Sequence, residues 1–167
     1  MAQQTETKSF PRLATSCLLF DSPKLEKILL IEREHDPERG LWSFPGGKLR
    51  PGESVKECME REIFEETGYK VSMVKDRLFS VIELKESNYL IISGMAFLND
   101  LTKEIDGRPE KDKEIKTKYF SLAKDGEDSI WNIEKDKCID CLKDVVKKFL
   151  DAYKKEEKED NTCTIDV

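Results

Sequence analysis

The chain has 167 residues, of which 38% are hydrophobic and 38% are charged, and its formal net charge is −6 at pH 7. This length suits one domain with a sizeable core. The acidic balance gives no support for general nucleic-acid binding or for binding to a membrane surface, so recognition of an anionic ligand has to be local.

The N-terminal segment, residues 1–9, is polar and is predicted to be flexible. It lacks the apolar core of a signal peptide, and no later apolar run is long enough to span a membrane. The five cysteines are odd in number and scattered, which argues against a disulfide framework and indicates a reducing compartment. We therefore expect a cytoplasmic protein.

Two of the cysteines, Cys138 and Cys141, form a lone C-x-x-C pair. A structural zinc site lacks ligands within the chain, because His35 is the only histidine and there is no second pair of this kind. A redox role stays open, although the βαβ context that usually accompanies such a motif is missing.

Strand-like runs alternate with helical patterns, which predicts an α/β fold of the α+β type. A turn at residues 21–24 joins the first two strands, and residues 85–88 close a hairpin between the next two. The predicted strands are Leu13–Phe20, Lys27–Arg33, Val71–Leu84, Tyr89–Leu98 and Ile115–Leu122.

Between the second and third strands, three carboxylates crowd onto one face of a predicted helix. Glu62, Glu65 and Glu66 stand at positions i, i+3 and i+4, and apolar residues occupy the same face one and two turns earlier. Acids beside the core are costly unless a cation neutralises them, and Mg²⁺ suits a few carboxylates plus substrate phosphates. The alternative is a solvated helix with i, i+4 pairs such as Arg61 with Glu65.

Local signals predict where this helix begins and ends. Residues 51–52 are Pro-Gly, a turn signal, and Ser54 with Glu57 three residues later forms a capping box. Gly68 supplies a left-handed cap at the other end. Ahead of the helix, the glycines at 46–47 allow a main-chain carbonyl to approach a ligand closely.

The C-terminal part of the chain is predicted to form one more helix. Apolar residues repeat at helical spacing over Cys138–Tyr153, and we interpret this stripe as core. The alternative is a dimer surface, so a homodimer stays open. Residues 154–167 are predicted to be a disordered charged tail. Residues 100–113 are predicted to form a charged loop that either is simply solvated or closes over a site.

Residues 47–69 resemble the Nudix box, G-x5-E-x7-R-E-U-x-E-E-x-G-U, in which U is an apolar residue. Residues 41–46 also resemble the usual lead-in to that box. Tyr69 is the one departure, because the family usually carries an aliphatic residue there, and its ring can also be buried. The fixed positions are filled by Gly47, Glu53, Arg61, Glu62, Glu65, Glu66 and Gly68.

The resemblance implies a MutT-like Nudix hydrolase, an α/β/α sandwich over residues 10–153 with a mixed sheet between helices. It implies a Mg²⁺ site, with Mn²⁺ as a substitute, built from the carbonyl of Gly46 and from carboxylates. Three acids are then both metal ligands and catalytic residues, namely Glu62, Glu65 and Glu66. Glu62 binds metal or acts as the base, unless a distal loop acid takes that role, for which Glu110 and Glu114 are candidates.

The remaining box positions are implied to be structural: Arg61 orients the acids through Glu53, and Gly47 and Gly68 shape the loops. The reaction implied is hydrolysis of a nucleoside diphosphate linked to another moiety, such as a nucleoside triphosphate. Basic residues clustered in sequence around the box are candidate phosphate contacts, with ordinary solubilising charge as the alternative. They are Arg33, Arg39 and Lys48 as substrate-binding residues, with Arg50 in the same cluster.

Two other functions are weighed against this one. ADP-ribose or another nucleotide sugar is the first alternative substrate, although no proline occurs between Pro51 and Pro109, where ADP-ribose enzymes often carry one. The second alternative is a nucleotide-sensing Nudix-fold module without catalysis. Loss of box acids usually marks such modules, and all of them are present here.

Overall fold

Six strands and two helices make up the part of the chain that a computed structural model describes, which is residues 10–71, 73–85, 87–98 and 115–161. Two short 3-10 turns, Ile130–Asn132 and Lys135–Lys137, precede the last helix. The main elements are β1 Arg12–Phe20, β2 Lys27–Glu32, β3 Trp42–Ser43, α1 Val55–Thr67, β4 Met73–Leu84, β5 Tyr89–Phe97, β6 Thr117–Ser121 and α2 Leu142–Asn161.

The strands form one mixed sheet in the order β3-β2-β1-β5-β4. Strands β1 and β3 pair with successive parts of one edge of β2, and β6 pairs with its opposite edge. β1 and β5 are parallel, with Arg12 opposite Tyr89 and Phe20 opposite Phe97, whereas the other pairs are antiparallel. The predicted hairpin between β4 and β5 is confirmed. Trp42–Ser43 was not predicted as a strand because two residues are too few to show a period.

Alternating residues of β1 face two separate apolar clusters, as the two-residue period of a strand requires. Cys17 and Leu19 pack in the cluster that contains Met59 of α1. Leu18 and Phe20 pack in the cluster that contains Phe149 of α2. The two helices therefore cover opposite faces of the sheet, and the predicted α/β/α sandwich is confirmed.

Helix α1 has both predicted caps. The side chain of Ser54 accepts a hydrogen bond from the Glu57 N–H at 3.2 Å, and the Glu57 carboxylate accepts one from the Ser54 N–H at 2.8 Å. At the other end, Gly68 has a left-handed φ of 79°, and its N–H donates to the Phe64 carbonyl. The caps satisfy backbone groups that the helix itself leaves without partners.

The prediction for the last helix was wrong at both ends. Cys138 does not begin it, because this residue forms a β-bridge with Trp42, and α2 starts at Leu142. The helix also continues past Tyr153 to Asn161, into the segment that was predicted to be disordered. Lysine and glutamate dominate that segment, and both are strong helix formers, so its high charge did not prevent a helix.

Several predictions concern residues outside the described ranges. These are the flexible segment 1–9, the charged loop 100–113 with the candidate bases Glu110 and Glu114, and residues 162–167 of the tail. None of the helices in the described ranges has the length and apolar character that a membrane crossing needs.

We expect Ser54→Ala to lower the free energy of unfolding by about 1 kcal/mol, because it leaves the Glu57 N–H without its partner. Urea denaturation followed by circular dichroism measures this change. Ser54→Thr, which keeps a capping hydroxyl, is the control and should stay close to the wild type. Equal stability of all three proteins would contradict the assigned cap.

Candidate active site

The loop that precedes α1 is hydrogen-bonded to β1 as if it were a strand. The N–H of Cys17 donates to the carbonyl of Pro45 at 2.9 Å, and the N–H of Thr15 donates to the carbonyl of Gly47 at 2.8 Å. The carbonyl of Gly46, between them, accepts no hydrogen bond from any described residue. One main-chain oxygen of the loop is thus left available to a ligand.

The two adjacent glycines are required by different neighbours. A Cβ atom on Gly46 would lie 2.1 Å from the carbonyl oxygen of Thr15, so the loop could not approach β1 this closely. A Cβ atom on Gly47 would lie 2.4 Å from the carboxylate carbon of Glu62, so the helix acid could not lie against the loop. A side chain at Gly46 would therefore push the loop away from the sheet, whereas one at Gly47 would displace the carboxylate of Glu62.

Two of the three predicted catalytic acids have described contacts with the main chain of this loop at Gly46 and Gly47. The carboxylate of Glu66 accepts a hydrogen bond from the N–H of Gly46 at 2.8 Å, and that of Glu62 packs on the main chain of Gly47. Glu65 lies one turn from Glu62 on the same face of α1, and the side chains of both are mostly buried, at 14% and 12% exposed. The structure therefore brings Gly46, Gly47, Glu62 and Glu66 together.

Arg61 joins the acids to each other and to the loop. Its guanidinium donates to both carboxylate oxygens of Glu53, at 2.6 and 2.9 Å, and to the carbonyl of Lys48 at 3.2 Å. Its Nη1 atom also donates to Glu62 at 2.5 Å and to Glu65 at 3.3 Å. One cation thus serves three carboxylates, and the predicted pair of Arg61 with Glu65 is one contact in a larger network.

This network changes the proton affinities of its members. The hydrogen bonds from Arg61 lower the pKa of Glu53 to about 2. In the reverse direction, the hydrogen bond to Glu53 raises the pKa of Arg61 above its usual range. Both groups therefore remain charged over the whole range in which the protein is expected to work.

A second arginine approaches Glu65 from the solvent side. Nη2 of Arg50 lies 3.1 Å from one oxygen of Glu65 and 3.4 Å from the other, and the Arg50 side chain is 58% exposed. The two arginines face the four carboxylates of Glu53, Glu62, Glu65 and Glu66. The cluster therefore keeps a net negative charge.

The donor set fits a hard divalent cation in its chemistry, because it offers carboxylates together with the Gly46 carbonyl, which accepts no hydrogen bond from a described residue. As they stand, no three acid, histidine or cysteine side chains of the described ranges converge on one point that could hold an ion. The physical reason is that Glu62 and Glu65 are turned toward Arg61. Ion binding at these residues requires the carboxylates to turn away from the guanidinium.

The predicted substrate contacts lie on two different segments. Arg33 and Arg39 belong to the connection between β2 and β3, and Arg33 forms an ion pair with Glu38 at 3.4 Å. Lys48 lies in the loop before α1, where its side chain is exposed. None of these three side chains has a contact with Glu62, Glu65 or Glu66 among those described.

Sequence reasoning missed Thr15 as part of the site. Besides holding Gly47 through its N–H, its hydroxyl lies 3.3 Å from Sγ of Cys58, which in turn receives a contact from Arg61 at 3.5 Å. Burial raises the pKa of the Cys58 thiol, so it acts as a small packing group under the site. No local pattern marks Thr15, because its partner is 32 residues away.

The protein thus has a mixed sheet between two helices, with a glycine loop held against one strand and acids on the facing helix. Together these parts form a site that is rich in oxygen atoms and negatively charged. Comparison with known families identifies that class more closely. The model of the NUDIX domain matches residues 10–136, and the chain belongs to the Nudix family.

Known proteins are similar in sequence to parts of this chain. An uncharacterized Nudix hydrolase, YvcI, from Bacillus subtilis is 36% identical over 84 residues, which cover 50% of this chain and 49% of that protein. An ADP-ribose pyrophosphatase from Methanocaldococcus jannaschii is 51% identical over 45 residues, 27% of each chain. The matches thus span about half or less of these curated relatives.

A solved structure supports the fold over a greater length. The MutT protein from Methanosarcina mazei Go1 superposes with a TM-score of 0.61, covering 88% of this chain and 98% of that one. The two sequences are 23% identical in that alignment, so this likeness concerns the fold. It agrees with the sandwich described above.

We expect Gly47→Ala to lower the free energy of unfolding by about 1 kcal/mol, because the new methyl group would displace the carboxylate of Glu62 from its hydrogen bond with Arg61. The backbone of Gly47 itself is in a region that alanine adopts, so the cost is steric. Urea denaturation of the single variant measures it.

A double-mutant cycle isolates the cause. In a Glu62→Ala background, Gly47→Ala should cost less than about 0.5 kcal/mol, because the three nearest atoms to the added carbon all belong to Glu62. The same cost in both backgrounds would mean that another group blocks the position.

The stabilising effect of Glu53 should depend on pH. Because its pKa in the folded protein is lowered to about 2 from an ordinary 4.5, the unfolded chain binds more protons between these values. The stability that Glu53 provides is therefore complete above about pH 5 and is lost as the pH falls toward 2.

We expect the difference in unfolding free energy between the wild type and Glu53→Gln to shrink over that range in a pH series of urea titrations. In an Arg61→Gln background, which lacks the cause of the lowered pKa, Glu53→Gln should no longer show a stability difference that shrinks toward pH 2. Parallel stability curves for wild type and Glu53→Gln from pH 6 to pH 2 would refute the assigned pairing.

Proposed function

We propose that this protein is a Mg²⁺-dependent pyrophosphohydrolase that cleaves a nucleoside diphosphate linked to another moiety. The observation that supports this most is the contact of Gly46 with Glu66: the N–H of this glycine donates to the carboxylate at 2.8 Å, and its carbonyl accepts no hydrogen bond from any described residue. Family membership supports the same reaction class.

The ion would be held by the carbonyl of Gly46 and by the carboxylates of Glu62, Glu65 and Glu66. We propose Mg²⁺, with Mn²⁺ as a substitute, because oxygen donors and phosphate substrates favour these ions. A bound divalent ion neutralises diphosphate oxygens and lowers the pKa of a water that attacks phosphorus.

The chain's own residues supply binding and orientation. Glu62, which lies against Gly47 and accepts a hydrogen bond from Arg61, would either bind the ion or act as the base. Arg61 and Glu53 hold the loop and the helix together and do not contact substrate. Arg33, Arg39 and Lys48 are the proposed contacts for phosphate, which their positive charge suits.

A nucleoside triphosphate or a similar compound is the proposed substrate, with ADP-ribose or another nucleotide sugar as the second candidate. The relative from Methanocaldococcus jannaschii carries the name of an ADP-ribose pyrophosphatase, which supports testing that compound. The lack of a proline between Pro51 and Pro109 weakens that candidate. A panel of nucleoside diphosphate derivatives, assayed for phosphate and nucleoside monophosphate with Mg²⁺ or Mn²⁺, decides between them.

A binding module without catalysis is the alternative of another class. The acids Glu62, Glu65 and Glu66 are all retained and are held in place by specific partners, which favours the enzyme. Isothermal titration with ADP-ribose and with nucleoside triphosphates, followed by product analysis, separates the two functions. Binding with Mg²⁺ but without product would support the module.

We expect Glu66→Gln to lower kcat by about 100-fold or more, because removing even an outer partner of a metal ligand typically costs 10- to 100-fold. Glu65→Gln should lower it similarly. The measurement is turnover of the best substrate of the panel at saturating Mg²⁺.

Glu60→Gln is the matched control, since it makes the same change on α1 at a residue whose carboxylate pairs with Lys56. Its kcat should remain within about twofold of the wild type. Undiminished turnover in both Glu65→Gln and Glu66→Gln would overturn the metal role of these acids.

A further inference from the structure

Glu65 is shared by two arginines that are held very differently. Arg61 is 17% exposed and is fixed by Glu53 and by the carbonyl of Lys48. Arg50 is 58% exposed, and in the described part of the chain its guanidinium contacts Glu65 alone. One arginine is therefore a permanent partner of the acids, and the other can leave.

The backbone of Arg50 is fixed by a turn, whereas its side chain is mostly exposed. Residues 50–53 form a turn in which the Glu53 N–H donates to the Arg50 carbonyl at 3.1 Å, with Gly52 at a φ of +83° and Pro51 before it, as a type II turn requires. The carboxylate of Glu53 also accepts from the Arg50 N–H at 3.0 Å. The guanidinium is thus tethered at the border between Glu65 and solvent.

Because the arginine is mostly exposed, an ion pair of this kind shifts an equilibrium by only about fivefold. A divalent ion that binds several oxygen ligands at once can therefore displace Arg50 from Glu65. The displaced guanidinium would remain beside the ion, where the charge of a diphosphate would lie. Guanidinium groups suit phosphate oxygens because they offer several donors in a plane.

We propose that Arg50 is an exchangeable counter-ion: it neutralises Glu65 when no divalent ion is bound, competes with that ion for the carboxylate, and binds the diphosphate of the substrate once displaced. This assigns Arg50 as a substrate-binding residue whose position is set by the Glu53 turn. The proposed contact between Arg50 and the diphosphate rests on the proposed function. The competition between Arg50 and the ion for Glu65 can be tested without turnover.

The first experiment measures metal binding without substrate. Free Mn²⁺ is titrated by electron paramagnetic resonance in the wild type, Arg50→Gln, Arg50→Lys and Lys56→Gln. Arg50→Gln should lower the Kd for Mn²⁺ by about two- to fivefold, because Glu65 loses a competing cation. Arg50→Lys keeps the charge and should remain within about twofold of the wild type.

Lys56→Gln is the matched control, because it removes the same charge from α1 at a side chain that pairs with Glu60. Its Kd should equal that of the wild type. The proposal is overturned if Arg50→Gln binds Mn²⁺ no more tightly than the wild type, if Lys56→Gln gains the same factor, or if none of the proteins binds the ion. Thermal melts of each variant establish that the fold is retained.

The second experiment tests the diphosphate contact at saturating Mg²⁺. Arg50→Gln should raise KM by about three- to tenfold with kcat within about twofold, and Arg50→Lys should restore part of the loss. An unchanged KM would overturn the substrate contact. If the wild type turns over no compound of the panel, the hydrolase function fails, while the Mn²⁺ titration still decides whether Arg50 competes for Glu65.

Discussion

The guanidinium of Arg61 is the group on which the rest of the site depends. It bridges Glu53 at the end of the loop and Glu62 on the helix, and it also holds the carbonyl of Lys48. Without this cation, mostly buried carboxylates would face each other across a short distance, which is unfavourable. The same arginine therefore holds the loop to the helix and makes the crowding of acids tolerable.

The sheet contributes a second constraint, because part of β1 is not paired with β2 and pairs with the site loop instead. β1 and β2 pair only where Leu19 meets Leu29 and Phe20 meets Ile28, and beyond this point β1 takes partners from residues 45–49 instead. The site loop is consequently part of the sheet's hydrogen-bonding and not an independent surface loop. Backbone pairing of this kind restricts the positions that the Gly46 carbonyl can adopt.

Local patterns in the sequence were enough to predict the hairpin of β4 and β5 and both caps of α1, because the residues involved are neighbours in the chain. They were not enough to predict that Thr15 holds Gly47, or that Cys138 pairs with Trp42 in place of starting a helix. Those contacts join distant segments and leave no periodic signal. The high charge after Tyr153 also did not predict disorder correctly, because lysine and glutamate are strong helix formers as well as solvated side chains.

The two glycines show why a loop of ordinary composition could not replace this one. Gly46 is pressed against the carbonyl of Thr15 on one side, and Gly47 is pressed against Glu62 on the other. The main chain at this point is thus a single layer between the sheet and the helix. Displacement in either direction meets a backbone or a carboxylate that Arg61 holds in place. We therefore expect the side chains of the site to adjust more easily than its main chain, and of the two arginines Arg50 is the more exposed.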